Sequence, residues 1–311
     1  MEKRKLIAHG PSSLTIALPF RWIKKYKLQK GDVVSVDEDD QGLRINPTIS
    51  ERKKAISINL AKHDWPAIVT VLTTVYRRGY DEVTVRYETP EEYQSISNAA
   101  HTLLGYAIVE NRKGKCIIKS LPSELEQNFQ TLFRRIFFIL IQQLEDLQDA
   151  LSFQEKIKKF YHRDSDLNAI VNLAIRMINK GYVLDHFEEL HLFHALLVLE
   201  ESGDDIMRFT IEIQNYKEAQ KLKEAVQKAA LMFNLLHDGY FKKTVNIMEF
   251  YKEYYLYWPD AEKMPAPTYE YLANASKAKP VFYIRSFVEK VIQLAEILLL
   301  PQAQVELNQS Q

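Results

Sequence analysis

From Pro122 to Leu300 one pattern dominates the chain: apolar residues return every three or four positions for nearly 180 residues, with almost no strand-like alternation. Stacked amphipathic helices bury such a pattern, because 3.6 residues per turn puts positions i, i+3, i+4 and i+7 on one face. Leu132, Ile136, Leu140, Leu144, Leu147 and Leu151 mark a first long helix, and Leu167, Ile170, Val171, Ala174, Met177 and Ile178 mark a second. A third runs from about Leu184 to Asn215 and is apolar nearly all round between Leu190 and Leu199, so it is expected at the centre of a bundle. Helices are expected again at Glu218 to His237, Val245 to Trp258 and Tyr269 to Leu300, echoing a long, short, long arrangement over residues 122–215. Trp258 to Pro267 reads as a proline-bearing loop, and Pro280 is expected to kink or break the last helix. Residues 121–311 are thus read as an all-α domain of two three-helix repeats, about 121–216 and 217–302.

Upstream the period changes. Ala55 to Leu60 and Glu82 to Tyr87 alternate as strands do, Trp65 to Arg78 and Pro90 to Leu104 carry helical spacing, and Tyr106 to Ile118 suits one or two further strands. Residues 49–120 are therefore expected to form a small α/β module. In residues 1–48 a β-branched run, Leu14 to Leu18, meets Pro19, which suits the first turn of a helix over Phe20 to Tyr26. Gly31-Asp32 then supplies a turn before Val33, Val34 and Val36, and Gly42 to Asn46 closes a hairpin. A metal-free, disulfide-free piece of under 50 residues lies near the limit for independent folding and is expected to dimerise. The fold class expected is α+β.

The chain's 41 basic and 41 acidic residues cancel, so any electrostatic partner must be read locally. Through Lys30 the only acid is Glu2, against Lys3, Arg4, Lys5, Arg21, Lys24, Lys25, Lys27 and Lys30; the run Asp37, Glu38, Asp39, Asp40 follows at once. The single cysteine, Cys116, excludes an internal disulfide and a cysteine-built zinc site and fits a reducing, cytoplasmic setting. Met1 to His9 lacks the apolar core of a signal peptide, and no apolar run approaches the ~20 residues of a membrane span, so membrane insertion is not expected. No glycine-rich phosphate loop, Gly-x-Ser-x-Gly or cysteine–histidine arrangement is visible among nine glycines and one cysteine, and catalysis is not expected.

Ser12 to Pro19, with Trp22, Lys24, Lys25, Leu28, Gly31 and Asp32, resembles the AbrB/SpoVT swapped-hairpin family. That resemblance implies an interleaved homodimer binding DNA, with Lys3, Arg4, Lys5, Arg21, Lys24 and Lys25 as contacts. Lysine replaces most of the arginine common in that family, and Ser13 stands where an arginine is common. Lysine is a point charge, so phosphate contacts are expected to outweigh base readout. A solvated basic face on a dimerisation module is the plainer alternative.

Farther on, Leu199-Glu200-Glu201-Ser202-Gly203-Asp204-Asp205-Ile206 resembles the Leu-Glu-Arg-Ile-Gly-Asp motif of PhoU proteins. The resemblance implies a metal site (iron, zinc or magnesium) built from Glu200 and Asp204, with Asp164 and Asn168 as the companion pair from the preceding helix. Asn168 is an amide where a second carboxylate would be expected. In the second repeat Glu249 with Glu253 and Glu289 with Gln293 correspond. A hard or borderline cation needs several converging oxygens or imidazoles, so solvated or ion-paired acids compete with this reading. His186, His191 and His194 share the helix with Glu200, and Glu188 with His191 makes a single Glu-x-x-His step where a di-iron bundle needs two. Glu145 and Asp149 are four apart, a spacing common in acidic helices.

Leu104 to Glu110 also resembles a passage of the insert joining an AbrB-like head to a PhoU-like body in archaeal phosphate-uptake regulators. The function implied is a homodimeric transcriptional regulator of phosphate uptake. The runner-up is an interaction protein that docks on a phosphate transporter or sensor kinase, its hairpin serving only to dimerise.

Overall fold

The computed structural model describes residues 3–11, 13–39, 42–47, 53–121, 128–152, 158–183, 186–214, 216, 219–257 and 279–309. The loop expected from Trp258 to Pro267 and the helix start expected at Tyr269 lie outside them. The chain is mixed α and β and divides into two compact units, Met1–Lys53 and Lys54–Gln311. The module expected at 49–120 and the helices expected at 121–311 share the second unit.

The first unit holds two antiparallel ribbons: β1 (Ile7–Ala8) with β2 (Leu14–Thr15), and β3 (Val34–Asp39) with β4 (Gly42–Pro47). Between them α1 (Phe20–Tyr26) starts after Pro19 and ends at Lys27 in the left-handed region, φ 50°. The Gly-Asp turn has a clear cause: Gly31 takes φ +96°, which a side chain resists, and Asp32 Oδ2 accepts from the Gln29 amide at 2.7 Å. β2 stops at Thr15, three residues short of the expected Leu18, because a strand persists only where a partner supplies the ladder. No described residue of this unit is buried.

In the second unit β5 (Ala55–Asn59), β6 (Glu82–Arg86), β7 (Tyr106–Arg112) and β8 (Lys115–Ser120) form one sheet in the order β5-β6-β8-β7, parallel at β5–β6 and antiparallel elsewhere. Alternation buries Val83 and Val85 on β6 directly opposite Ile118 and Cys116 on β8. They join a core with Ile68, Leu72 and Val75 of α2 (Trp65–Arg77) and Ile96 and Ala100 of α3 (Pro90–His101). Burial pushes the Cys116 thiol up to about 11, so the lone cysteine is a core residue with little thiolate character.

The helical body comprises α4 (Phe129–Ser152), α5 (Lys158–Asn179), α6 (His186–Ile213), α7 (Lys223–Lys242), α8 (Ile247–Tyr257) and α9 (Lys279–Gln309). Every residue of the stripes expected on α4 and α5 is buried. α6 packs against α4, α5 and α9, the central placement expected of it, although Leu190 at its start is 63 % exposed. The long, short, long pattern fails in the first set: α5 has 22 residues beside 24 in α4 and 28 in α6. Its first turns, Lys158 to Asp166, are mostly polar and carry no apolar stripe to announce them. α9 is described from Lys279, with Pro280 as its second residue, and the stretch before it, on which the expected kink or break bears, lies outside the described residues.

Gly203 lets α5 and α6 meet closely. A Cβ there would lie 2.2 Å from Leu167 Cδ2 and 3.7 Å from Leu140 Cδ2, so the glycine of the acid-rich motif has a packing reason of its own.

Candidate functional site

Two groups of residues carry the candidate chemistry, one in each unit. In the head, Arg21, Lys24 and Lys25 follow i, i+3, i+4 spacing on α1 and so share one helix face. Lys24 and Lys25 occupy its last turn, where the helix dipole favours cations. Lys3, Arg4 and Lys5 lead into β1. All six are exposed. The Trp22 and Tyr26 rings lie 5.3 Å apart, tilted at 55°, and Lys25 Nζ lies 5.1 Å from the Tyr26 ring centre, contacts that help to hold this short helix.

In the body, α6 holds the acids of the motif and sends them to different cations. Glu200 receives Arg77, from the last turn of α2: Nη2 donates to both carboxylate oxygens at 2.7 Å, while Arg77 Nε donates to Asn172 Oδ1 on α5 at 2.6 Å. Asp204 pairs with Arg208 on its own helix at 2.9 Å, and the buried Asp205 with Lys290 of α9 at 2.5 Å. Asp164 accepts from Asn168 Nδ2 at 3.2 Å through one oxygen; its other oxygen, Oδ1, is buried without a hydrogen-bond partner among the described residues. The companion pair is thus joined by its own hydrogen bond, and Asp164 feels the charges of both Glu200 and Asp204.

The second-repeat acids have local duties. Glu249 and Asn246 cap α8 reciprocally at 3.0 Å, Glu289 pairs with Arg285 at 3.0 Å, and Gln293 Nε2 lies 3.1 Å from His194 Nε2. Glu145 and Asp149 are exposed. The side chains of His186 and Glu188 lie outside the described residues.

Sequence reasoning missed the two arginines that join module and body. Arg176 of α5 is fully buried; its Nη1 donates to the carbonyls of Tyr76 and Tyr80 at 3.0 and 2.8 Å and its Nη2 to Asp81 Oδ1 at 2.8 Å. Its guanidinium also sits 4.9 Å from the Tyr76 ring and 5.5 Å from the Tyr106 ring. Asp81 accepts from Lys180 Nζ and the Lys54 amide as well; burial opposes its charge, yet Lys180, that amide and Arg176 hold its carboxyl below the ordinary range. A signal for Arg176 existed, since it interrupts the otherwise apolar run Leu173 to Ile178. Arg77 offered none, being one more arginine at a helix end.

No family model, curated protein or solved structure matches the chain. Among the described residues no helix is long and apolar enough to cross a membrane. Among them, too, no three His, Cys, Asp or Glu side chains are grouped to hold a metal ion. The residues implied as ligands, Asp164, Asn168, Glu200 and Asp204, do not fit a divalent cation as they stand. Both Glu200 oxygens face a guanidinium, Asp204 faces another, and Asp164 Oδ1 is the one oxygen of the set that is buried without a partner among the described residues.

Burial, then Asp204 and Glu200, push the Asp164 carboxyl up to about 6 from 3.8, against the pull of Arg208. A folded state that holds this proton more tightly than the unfolded chain loses stability as pH rises from about 4 through about 6. Asp164→Asn should therefore stabilise the protein by about 1 kcal/mol at pH 7.5, after discounting for partial solvent screening, and leave it unchanged at pH 4. Thermal melts at the two pH values check this; destabilisation at pH 7.5 would instead make the carboxylate a needed partner.

Proposed function

We propose that the chain is a homodimeric DNA-binding regulator of phosphate uptake whose heads interleave as in the AbrB/SpoVT family and whose PhoU-like helical body responds to phosphate status. The observation that carries this reading is the state of the head: none of its described residues is buried, while Phe20 is 74 % exposed, Val33 71 % and Leu43 67 %. Two two-stranded ribbons are marginal alone, and a unit of this size supplies no core for them. A second copy of the same hairpins supplies matching apolar faces and ladder partners for Ile16 to Leu18. Dimerisation also doubles the six exposed candidate cations to twelve, enough for binding dominated by phosphate contacts and steeply weakened by salt.

Sedimentation equilibrium is expected to give a dimer, and fluorescence anisotropy with duplex DNA to give affinity that falls linearly on a log–log plot against salt. A monomer at micromolar concentration, or no binding at low salt, overturns the reading.

One observation favours the second reading, an interaction protein for a phosphate transporter or sensor kinase. Along α8, Met248 is 75 % and Leu256 68 % exposed, with Tyr255 beside them on one face, a composition enriched in protein interfaces. That reading gains if a chain deprived of DNA affinity still retains such a partner.

A further inference from the structure

We infer that the open face of the β5-β6-β8-β7 sheet is a second contact for the backbone of duplex DNA, made by a row of cations that crosses three adjacent strands. Alternation sends Val83 and Val85 of β6 and Cys116 and Ile118 of β8 into the core with α2 and α3, and their neighbours in sequence to the opposite face. There the register builds the row: Arg86 stands directly opposite Lys115 and Lys115 opposite Arg112, with Asn59 of β5 on the other side of Arg86. All four are exposed. With strands about 4.8 Å apart, the three cations span about 10 Å. Like charges directly opposite one another cost stability, and the sheet relieves that cost only in part. Lys119 faces Glu82 at 3.1 Å, and Arg112 reaches Glu110 at 3.0 Å, which the bulge between Ile108 and Glu110 brings onto this face. Arg86 and Lys115 have no carboxylate partner among the described residues. Lys113 adds a further cation beside them, in a turn fixed by Gly114 at φ +71°, whose carbonyl accepts from the Tyr87 amide at 3.0 Å.

An anion complements this row, and the rest of the face selects its kind. Ser57, Thr84 and Ile117 make the next row, short side chains that wall no cleft, and no aromatic side chain stands among the described strand residues of this face. A free phosphate or nucleotide needs a concave site, and a single strand needs rings on which its bases stack. A duplex backbone needs neither: each strand presents one charge per ~3.4 Å of axis, about three over this row, and phosphates accept from Arg, Lys, Ser, Thr and Asn alike. The choice of duplex DNA among polyanions rests on the reading of the chain as a DNA-binding regulator; the cation row stands without it.

The test is fluorescence anisotropy of the full chain with a short duplex across a salt series. Arg86→Gln/Lys115→Gln is expected to bind about tenfold more weakly near 100 mM salt, with the log–log slope shallower by about 2 for each chain bound. Lys24→Ala/Lys25→Ala should keep a weak, salt-sensitive affinity that the chain carrying all four changes loses. The sheet variant should melt at or slightly above the wild-type temperature, because it removes the repulsion between Arg86 and Lys115. Wild-type affinity and slope in the sheet variant overturn the inference and leave the head reading intact. Loss in the sheet variant with none in the head variant does the reverse, and no binding by the wild type at low salt overturns both. Lost affinity for phosphatidylserine vesicles with duplex binding unchanged also overturns it and gives the face to a lipid surface. If the sheet variant melts about 5 °C or more below wild type, the charge-conserving Arg86→Lys/Lys115→Arg decides: duplex binding near the wild-type level upholds the inference, and its loss in a chain that melts normally overturns it.

Discussion

Arg176→Met is expected to lower the unfolding free energy of the larger unit by about 3–5 kcal/mol, the range for breaking a buried ionic network by removing one partner. For a unit of this size that corresponds to a fall in melting temperature of about 10 °C. The side chain is 0 % exposed and donates to two backbone carbonyls and one carboxylate. Methionine fills part of the volume but leaves the Tyr76 and Tyr80 carbonyls without this donor inside the protein. Asp81 keeps Lys180 at 2.8 Å, and so Lys180→Ala, at a side chain 20 % exposed, should cost only about 1 kcal/mol. Arg176→Lys should not restore the loss, because one ammonium cannot span the three acceptors that the planar fork reaches. Differential scanning calorimetry of the three variants checks the ordering; an Arg176→Met melt within 2 °C or so of wild type would mean that the network is replaceable by packing alone.

The Lys24→Ala/Lys25→Ala chain is expected to lose about a hundredfold or more in DNA affinity near 100 mM salt, with the log–log salt slope shallower by up to about 4. Two lysines per chain make four per dimer, and each phosphate contact contributes about 0.9 to the slope. Both lie in the exposed last turn of α1, and removing them costs the Lys25–Tyr26 ring contact but leaves the Trp22–Tyr26 contact in place. The dimer should therefore persist in sedimentation, which separates a charge effect from an unfolded head. Anisotropy titrations at several salt concentrations read the slope directly. An unchanged slope would place the DNA contacts elsewhere or remove them.

Both predictions fall on residues whose visibility in the sequence differs sharply. Lys24 and Lys25 stand in a stretch nearly free of acids, and a charge run on a short helix is readable without coordinates. Arg176 was readable only as an anomaly, a cation inside an apolar run, and its partners Tyr76, Tyr80 and Asp81 lie about a hundred residues away. Glu200 and Asp204 were legible as a pair on one helix face, and the i, i+4 spacing of Asp204 and Arg208 was local too, yet nothing local says that Arg77 faces Glu200. The same limit explains α5: its apolar stripe from Leu167 onward was plain, while its polar first turns give no periodic signal.

Periodicity, proline and glycine positions and local charge are short-range quantities, and from them the sequence alone determined the α+β order of elements, the buried stripes of α4 and α5, the Gly31-Asp32 turn and the basic head. The pairing of β6 with β8, the joining of the α/β module to the helices in one unit, and the assignment of Glu200 to Arg77 and of Asp205 to Lys290 were decided by the tertiary structure. These depend on which helix ends and strand edges meet across gaps from 35 residues at Val83 and Ile118 to 123 at Arg77 and Glu200, and for Glu200 and Asp205 the partner is set by that meeting rather than by neighbours in the chain.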